Sequence, residues 1–449
     1  MLRRLVRVAL GEAVVAAGPV CLALALGAAP AAAQEVDPAR PYRGLFEDVD
    51  ATASSSPKTP SSPAFSLVAN LFQQFDDSAA SGPTVDGRPP ASNSTRYAAL
   101  DVAFAARQRT RRSSWDLTGN TQVRHYQDWR HARADEQRLA LGVEARPDRA
   151  TRLTVSGRAV YSPLYTVNVP LAGQDSSGEG VALVPGLEIS GLRSVNLGTT
   201  VAMSRRVGRR THLESAYAFN RVSYLDREAT VTGGRFSAGL SRALGDAALR
   251  LGYAHGRVDT QLPLGTQKVQ TDEFDARLNW PSASASTRVS VGVTPTVTRR
   301  GGAVVERLGN DLEVRIGALA RVDHQLTSRW RAGLGYQRAL YTNDGYRAPT
   351  FVQTTGGNVS GQVSRWVDVV ASAAYSSGLA ATPLLPRAEG SLGYSVRCDV
   401  WTSRTTVLYA EYRQYGYVGF DDATPASLAG TQIGRRSVRV GLTFAPRGW

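Results

Sequence analysis

The sequence predicts an all-β protein: a transmembrane antiparallel up-and-down β-barrel of about eighteen strands, or else about sixteen. Three observations predict it. Apolar and polar residues alternate from about residue 95 to Phe444, short and long connections alternate between the strands so defined, and aromatic residues sort between the two strand ends.

The alternation is cleanest in Val289-Ser290-Val291-Gly292-Val293, and recurs at Leu139, Leu141, Val143 and Ala145 and at Val438, Val440, Leu442 and Phe444. Successive side chains of a strand point to opposite faces, so each such strand has one apolar face and one small or polar face. Hardly a helical stretch intervenes. A chain of 449 residues could hold two or three ordinary domains by length, yet no composition break divides the repeated region. A mean hydropathy of −0.22 does not exclude a membrane, because a transmembrane barrel hides its apolar residues at every second position.

The N-terminus reads as an export address. Arg3, Arg4 and Arg7 precede an apolar stretch from Ala13 to Ala29 that ends in Ala31-Ala32-Ala33. This is the pattern of a signal peptide over residues 1–33, cleaved before Gln34; an uncleaved anchor helix is the alternative, opposed by Pro19 and Pro30. Cys21 sits in a poor lipobox, Gly18-Pro19-Val20. The cleaved chain then holds only Cys398, so no intramolecular disulfide is expected. Residues 34–61, rich in Pro, Ser, Ala and Asp, read as a flexible periplasmic tail, too short for the plug of a large active transporter. Residues 62–449 are the barrel.

Short turns are expected at Thr110–Ser113, Pro147–Ala150, Val207–Arg210, Ala243–Asp246, Pro281–Ser284, Gln325–Ser328, Ser364–Arg365 and Thr402–Arg404. Longer links fall at Tyr126–Arg133, Pro163–Ile189, Thr260–Gln270, Arg299–Asn310, Tyr341–Pro349, Ser377–Pro386 and Phe420–Thr431, with Leu225–Glu228 a short link in a long one's place. Outer-membrane barrels put short turns on the periplasmic side. An even count then needs a first strand before residue 95, which Pro63–Phe75 supplies through Phe65, Leu67, Ala69 and Leu71. Both termini become periplasmic. The aromatic residues follow the same division: Trp115, Trp280, Trp330, Trp366 and Trp401 lie beside short turns, as a periplasmic girdle. Tyr126, Tyr161, Tyr224, Tyr341, Tyr375 and Tyr415 lie toward the longer links.

The polar faces carry Arg138, Arg152, Arg158, Arg250, Arg277, Arg288, Arg315, Arg331, Arg397 and Arg439, with acidic residues among them: Glu144, Glu273, Asp275 and Glu313, and also Asp101, Glu214, Asp368 and Asp399. A charge on the lipid face near the midplane costs about 2–4 kcal/mol, so these side chains belong to the lumen. The formal charge is +14, and losing three Arg and one Glu with residues 1–33 leaves about +12. Lys58 and Lys268 are the only lysines. An excess of lumenal Arg would favour anions. No nucleic-acid recognition motif accompanies the positive charge.

Enzymatic chemistry finds little footing. There is no His-Glu-x-x-His, Gly-x-Ser-x-Gly, P-loop or paired-cysteine metal site, and no cofactor is implied. His125 and His131 flank Asp128 and Trp129 in one external link, a placement that a solvated loop explains.

The plan of signal peptide, short tail, first strand running into Gln74-Phe75-Asp76-Asp77-Ser78, then regular hairpins to the C-terminus resembles the outer-membrane β-barrel porin families of Gram-negative bacteria. Such families commonly show a Gly-Tyr-Asp-Asp-Asn-like stretch at that point, which this chain matches in part. Trp449 is terminal, but Ala445-Pro446-Arg447-Gly448 breaks the alternation, so Phe444 is the better candidate for the strand end. The resemblance implies residence in the outer membrane, contact with its lipid and lipopolysaccharide, and insertion by barrel-assembly machinery. Three functions fit: a passive channel for small hydrophilic solutes whose lumenal charge sets a selectivity for anions, an export barrel for an anionic exopolysaccharide, or a structural or adhesive barrel binding through its external loops.

Overall fold

The computed structural model describes residues 61–77, 94–126, 133–162, 165–167, 187–190, 193–225, 229–262, 265–281, 286–301, 312–341, 350–378, 390–418 and 434–445. The expected signal peptide, the tail to residue 60 and Trp449 lie outside them.

The described residues form twenty strands: β1 (Ser61–Asp77), β2 (Ser94–Arg109), β3 (Ser113–Tyr126), β4 (Arg133–Ala145), β5 (Thr151–Ser162), β6 (Tyr165–Val167), β7 (Leu187–Ser190), β8 (Ser194–Arg206), β9 (Thr211–Tyr224), β10 (Ala229–Leu244), β11 (Ala247–Leu262), β12 (Gly265–Pro281), β13 (Thr287–Gly301), β14 (Leu312–Gln325), β15 (Trp330–Tyr341), β16 (Thr350–Ser364), β17 (Val367–Gly378), β18 (Gly390–Trp401), β19 (Thr406–Val418) and β20 (Gly434–Phe444). Eighteen make one antiparallel sheet, and β6 with β7 is a separate small hairpin in the link between β5 and β8. The sheet closes because β20 pairs both with β19 and with β1, Leu71 facing Leu442. Closure leaves no sheet edge to be covered.

The short turns are built from local hydrogen bonds. Asp148 Oδ1 accepts from the backbone N–H of Ala150 at 2.6 Å and of Thr151 at 2.7 Å, and Thr151 Oγ1 donates to Oδ2 at 3.0 Å. These bonds hold the Asp148 carboxyl below the usual carboxylate range, the Ala150 N–H contributing most. Thr110 Oγ1 accepts from Ser113 N at 3.0 Å in the first turn. Gly245, at φ 63°, supplies the left-handed residue of the tight β10–β11 turn. One expected long link is corrected. Strands β11 and β12 run through most of residues 260–270, pairing until Leu262 faces Gly265. The alternating Thr260, Gln261, Thr266 and Gln267 continue the ladder where a loop was expected. Pairing of β12 with β13 lapses opposite Pro295, which has no N–H to give, and Thr294 Oγ1 instead donates to Asp275 Oδ1 at 3.2 Å.

Burial separates the two faces. On a closed barrel, concave-side chains converge and shade one another while convex-side chains splay apart. One parity holds buried polar residues such as Gln74, Thr298, Thr443 and Glu411. The other presents Leu71, Leu251, Phe274, Val314, Ile316 and Leu334 at 51–64 % exposure. The polar parity is therefore concave and lines the lumen. The apolar parity is convex.

Candidate pore lining

Register places the lumen-facing candidates side by side. Arg138, Glu144, Arg152, Arg158, Arg250, Glu273, Asp275, Arg277, Arg288, Glu313, Arg315, Arg331, Arg397 and Arg439 share the concave parity with the buried polar residues. Most are tied into ion pairs. Arg152 Nη2 lies 2.7 Å from Glu144, and Arg250 Nη2 3.2 Å from Glu214. Arg235 clamps Glu273 through two bonds of 3.0 and 2.7 Å, reaching from β10 to β12 across Ala254 of β11. Arg397 pairs with Asp399 at 2.8 Å, Arg277 approaches Asp275 at 3.9 Å, and Arg315 pairs with Glu313.

The densest part is the seam where the last strand meets the first. Arg439 of β20 donates to Gln74 Oε1 of β1 at 2.9 and 2.7 Å, lies 4.3 Å from the Phe72 ring centroid, and stands 3.7 Å from Glu411 of β19. Arg413 holds the other Glu411 oxygen at 2.6 Å. Gly441 leaves room for this crossing, since a Cβ there would come 2.7 Å from both Phe72 and the Tyr409 ring. On the next strands, Asn120 of β3 donates to Asp101 of β2, and Arg124 of β3 reaches Glu136 of β4 at 3.6 Å.

Three candidates stand apart. Arg158, Arg288 and Arg331 are exposed on the concave face and take part in no ion pair among the described residues. They leave positive charge presented to whatever fills the bore.

Two aromatic assignments need correction. Trp115, Trp280 and Trp330 are on the convex parity near short turns, Trp280 at 58 % exposure. Trp366 sits in the β16–β17 turn with the Arg365 guanidinium 5.2 Å from its ring. Trp401 does not belong to that girdle. It shares the concave parity of Arg397 and Asp399, is buried, and donates from Nε1 to Asp368 Oδ2 at 2.8 Å. A hydrogen-bond acceptor on the neighbouring strand outweighs the preference of indole for the interface. Tyr224 likewise turns inward, packing with Val222, Ala229, Val231 and Val258 as an apolar patch on the lumen wall. Sequence reasoning missed that patch, although Val222 and Tyr224 stand an even number of residues from Glu214 and so share its face.

No protein-family model matches the chain, and no curated protein is significantly similar to it. Solved structures with a similar overall shape exist. OccK11 (OpdR) of Pseudomonas aeruginosa is 12 % identical at a TM-score of 0.45, covering 86 % of this chain and 96 % of its own. OccAB4 of Acinetobacter baumannii is 10 % identical at 0.46, covering 87 % and 100 %. The alcaligin outer membrane receptor FauA of Bordetella pertussis is 12 % identical at 0.41, covering 84 % and 76 %. These are similarities of architecture only, and the barrel stands on its own strand pairing.

Proposed function

We propose that the protein is an outer-membrane channel for small hydrophilic solutes with a preference for anions. A closed barrel of eighteen strands leaves an aqueous bore unless something fills it. Its convex face is apolar and its concave face charged, the arrangement of a protein with lipid outside and water inside. The observation that carries the anion preference is the set of Arg158, Arg288 and Arg331, exposed on the lumen wall while the other lumenal arginines named above have acids or amides as partners. Uncompensated cations on a low-dielectric wall raise the local anion concentration.

The test is reversal potential in a planar bilayer under a potassium chloride gradient. The wild type passes chloride in preference to potassium. The triple variant R158Q/R288Q/R331Q loses about threefold in that ratio, the change expected for about half a kT of lumen potential, which acts on chloride and potassium in opposite directions. A barrel that inserts but conducts nothing overturns the channel reading, and an unchanged ratio overturns the anion preference.

A further inference from the structure

On the convex face of β11, β12 and β13 the apolar band gives way to polar residues toward one end, β13 carrying it one register step further than β11 and β12. Outward residues of β12 run Trp280, Leu278, Ala276, Phe274 and then Asp272, Gln270, Lys268. On β11 they run Leu249, Leu251, Tyr253 and then His255, Arg257, Asp259; on β13, Val291, Val293 and Val297 give way to Arg299. Register sets Arg257 opposite Gln270 and Gln270 opposite Arg299, with Lys268 opposite Asp259 one step beyond. Neighbouring strands are about 4.8 Å apart, so the two arginines stand about 10 Å apart at the backbone and their guanidinium groups can converge on one anion.

The acids of this cluster are already engaged. Asp272 Oδ1 accepts from Tyr253 Oη at 2.7 Å and meets His255 Nδ1 at 2.8 Å, and Asp259 pairs with Arg257 at 3.0 Å. Lys268 and Arg299 are exposed and form no ion pair among the described residues. Beside Arg299 lies an apolar shelf: Leu312, which faces it in register, Val314 and Ile316 of β14, all 59–64 % exposed, with Phe274 at 54 %. A cationic row directly above an exposed apolar shelf fits a ligand that joins an anionic head to hydrocarbon tails. Elsewhere on the outer rim Arg96 is instead spent on its neighbour, 5.4 Å from the Phe75 ring centroid.

We propose that Arg257, Lys268 and Arg299 bind the phosphorylated headgroup of an outer-leaflet lipid, whose chains lie against Phe274, Val297 and Val314. Arginine matches phosphate through paired hydrogen bonds, and lysine adds a point charge. This rests on the membrane-spanning reading of the barrel.

The test uses the full-length barrel, delipidated in neutral detergent and offered diphosphorylated lipid A, with retained lipid counted by native mass spectrometry. The triple variant R257Q/K268Q/R299Q retains lipid A about tenfold less well than wild type, while R96Q/R338Q, also on the convex face, retains it normally. Equal retention by the triple variant overturns the site. So does equal loss in R96Q/R338Q, or displacement of the lipid by equimolar inorganic phosphate. Unchanged conductance of the triple variant shows that the barrel is folded. Quenching of Trp280 by lipids brominated on their chains reports membrane embedding separately: quenching without lipid A retention sinks this site alone, and no quenching sinks the membrane reading beneath it.

Discussion

Replacing Glu411 with alanine removes the one carboxylate between two arginines at the seam. Its side chain is 7 % exposed, and those of Arg413 and Arg439 are 19 % and 18 % exposed. Breaking a buried pair by deleting one partner costs about 3–5 kcal/mol, because the charge left behind is neither paired nor solvated. Here two guanidinium groups lose their carboxylate, which argues for the upper part of that range, although Arg439 keeps its bonds to Gln74. Against this, Glu411 Oε2 accepts no hydrogen bond and lies 3.7 Å from Arg439, so that half of the cluster is a looser contact. The expected loss is therefore about 3 kcal/mol. Arg138→Gln is the internal control: its side chain is 58 % exposed, and an exposed pair contributes about 1 kcal/mol or less. The assay is urea unfolding of the refolded barrel in micelles, followed by tryptophan fluorescence, with the E411A/R439Q double variant closing a mutant cycle. The two seam substitutions should be strongly non-additive. A Glu411→Ala loss no larger than that of Arg138→Gln would refute the reasoning and show that the seam is as wet as the open wall.

Gly441→Leu should block closure, because even its Cβ meets Phe72 and Tyr409 at 2.7 Å; the fraction of chains reaching the compact, heat-modifiable form on gels should fall sharply. Asp148 has a depressed folded pKa, so its stabilisation is present above the ordinary value of 3.8 and drains away as pH falls below it. Unfolding midpoints of wild type and Asp148→Ala should thus differ at pH 6 and converge between about pH 4 and pH 2. Among variants keeping a single tryptophan, the one keeping Trp280 should be quenched by lipids brominated on their chains and the one keeping Trp401 should not, since Trp401 faces the lumen.

The strand pattern was legible because burial on one side and water on the other impose a period of two that survives any change of residue identity. Parity of the connections gave the common end for both termini. What was not legible depends on register between strands. Arg235 and Glu273 both read as concave, but only the pairing of β10, β11 and β12 brings them within bonding distance. Trp401 misled because position along the strand was weighed before parity; four residues separate it from Arg397, and an even separation fixes the same face. The β11–β12 hairpin was misread for the opposite reason, since Pro263 and Gly265 announce a turn without fixing its length.

Arg439 and Gln74 are 365 residues apart in the chain, whereas every other neighbouring pair in the barrel joins strands that follow one another, apart from β5 and β8, which flank the β6–β7 hairpin. Each hairpin can form as soon as its own residues exist, but the seam waits for the whole polypeptide. For a flexible chain, closing a ring of that length costs about 4 kcal/mol more than closing a four-residue turn. The contacts of Arg439 with Gln74 and Phe72 stand where that deficit falls, so they are among the last of the wall to become available. Until they form, β1 and β20 are open edges able to pair with another molecule. A chain shortened before Gly434 would keep seventeen strands of well-matched barrel and still be a sheet with two sticky ends.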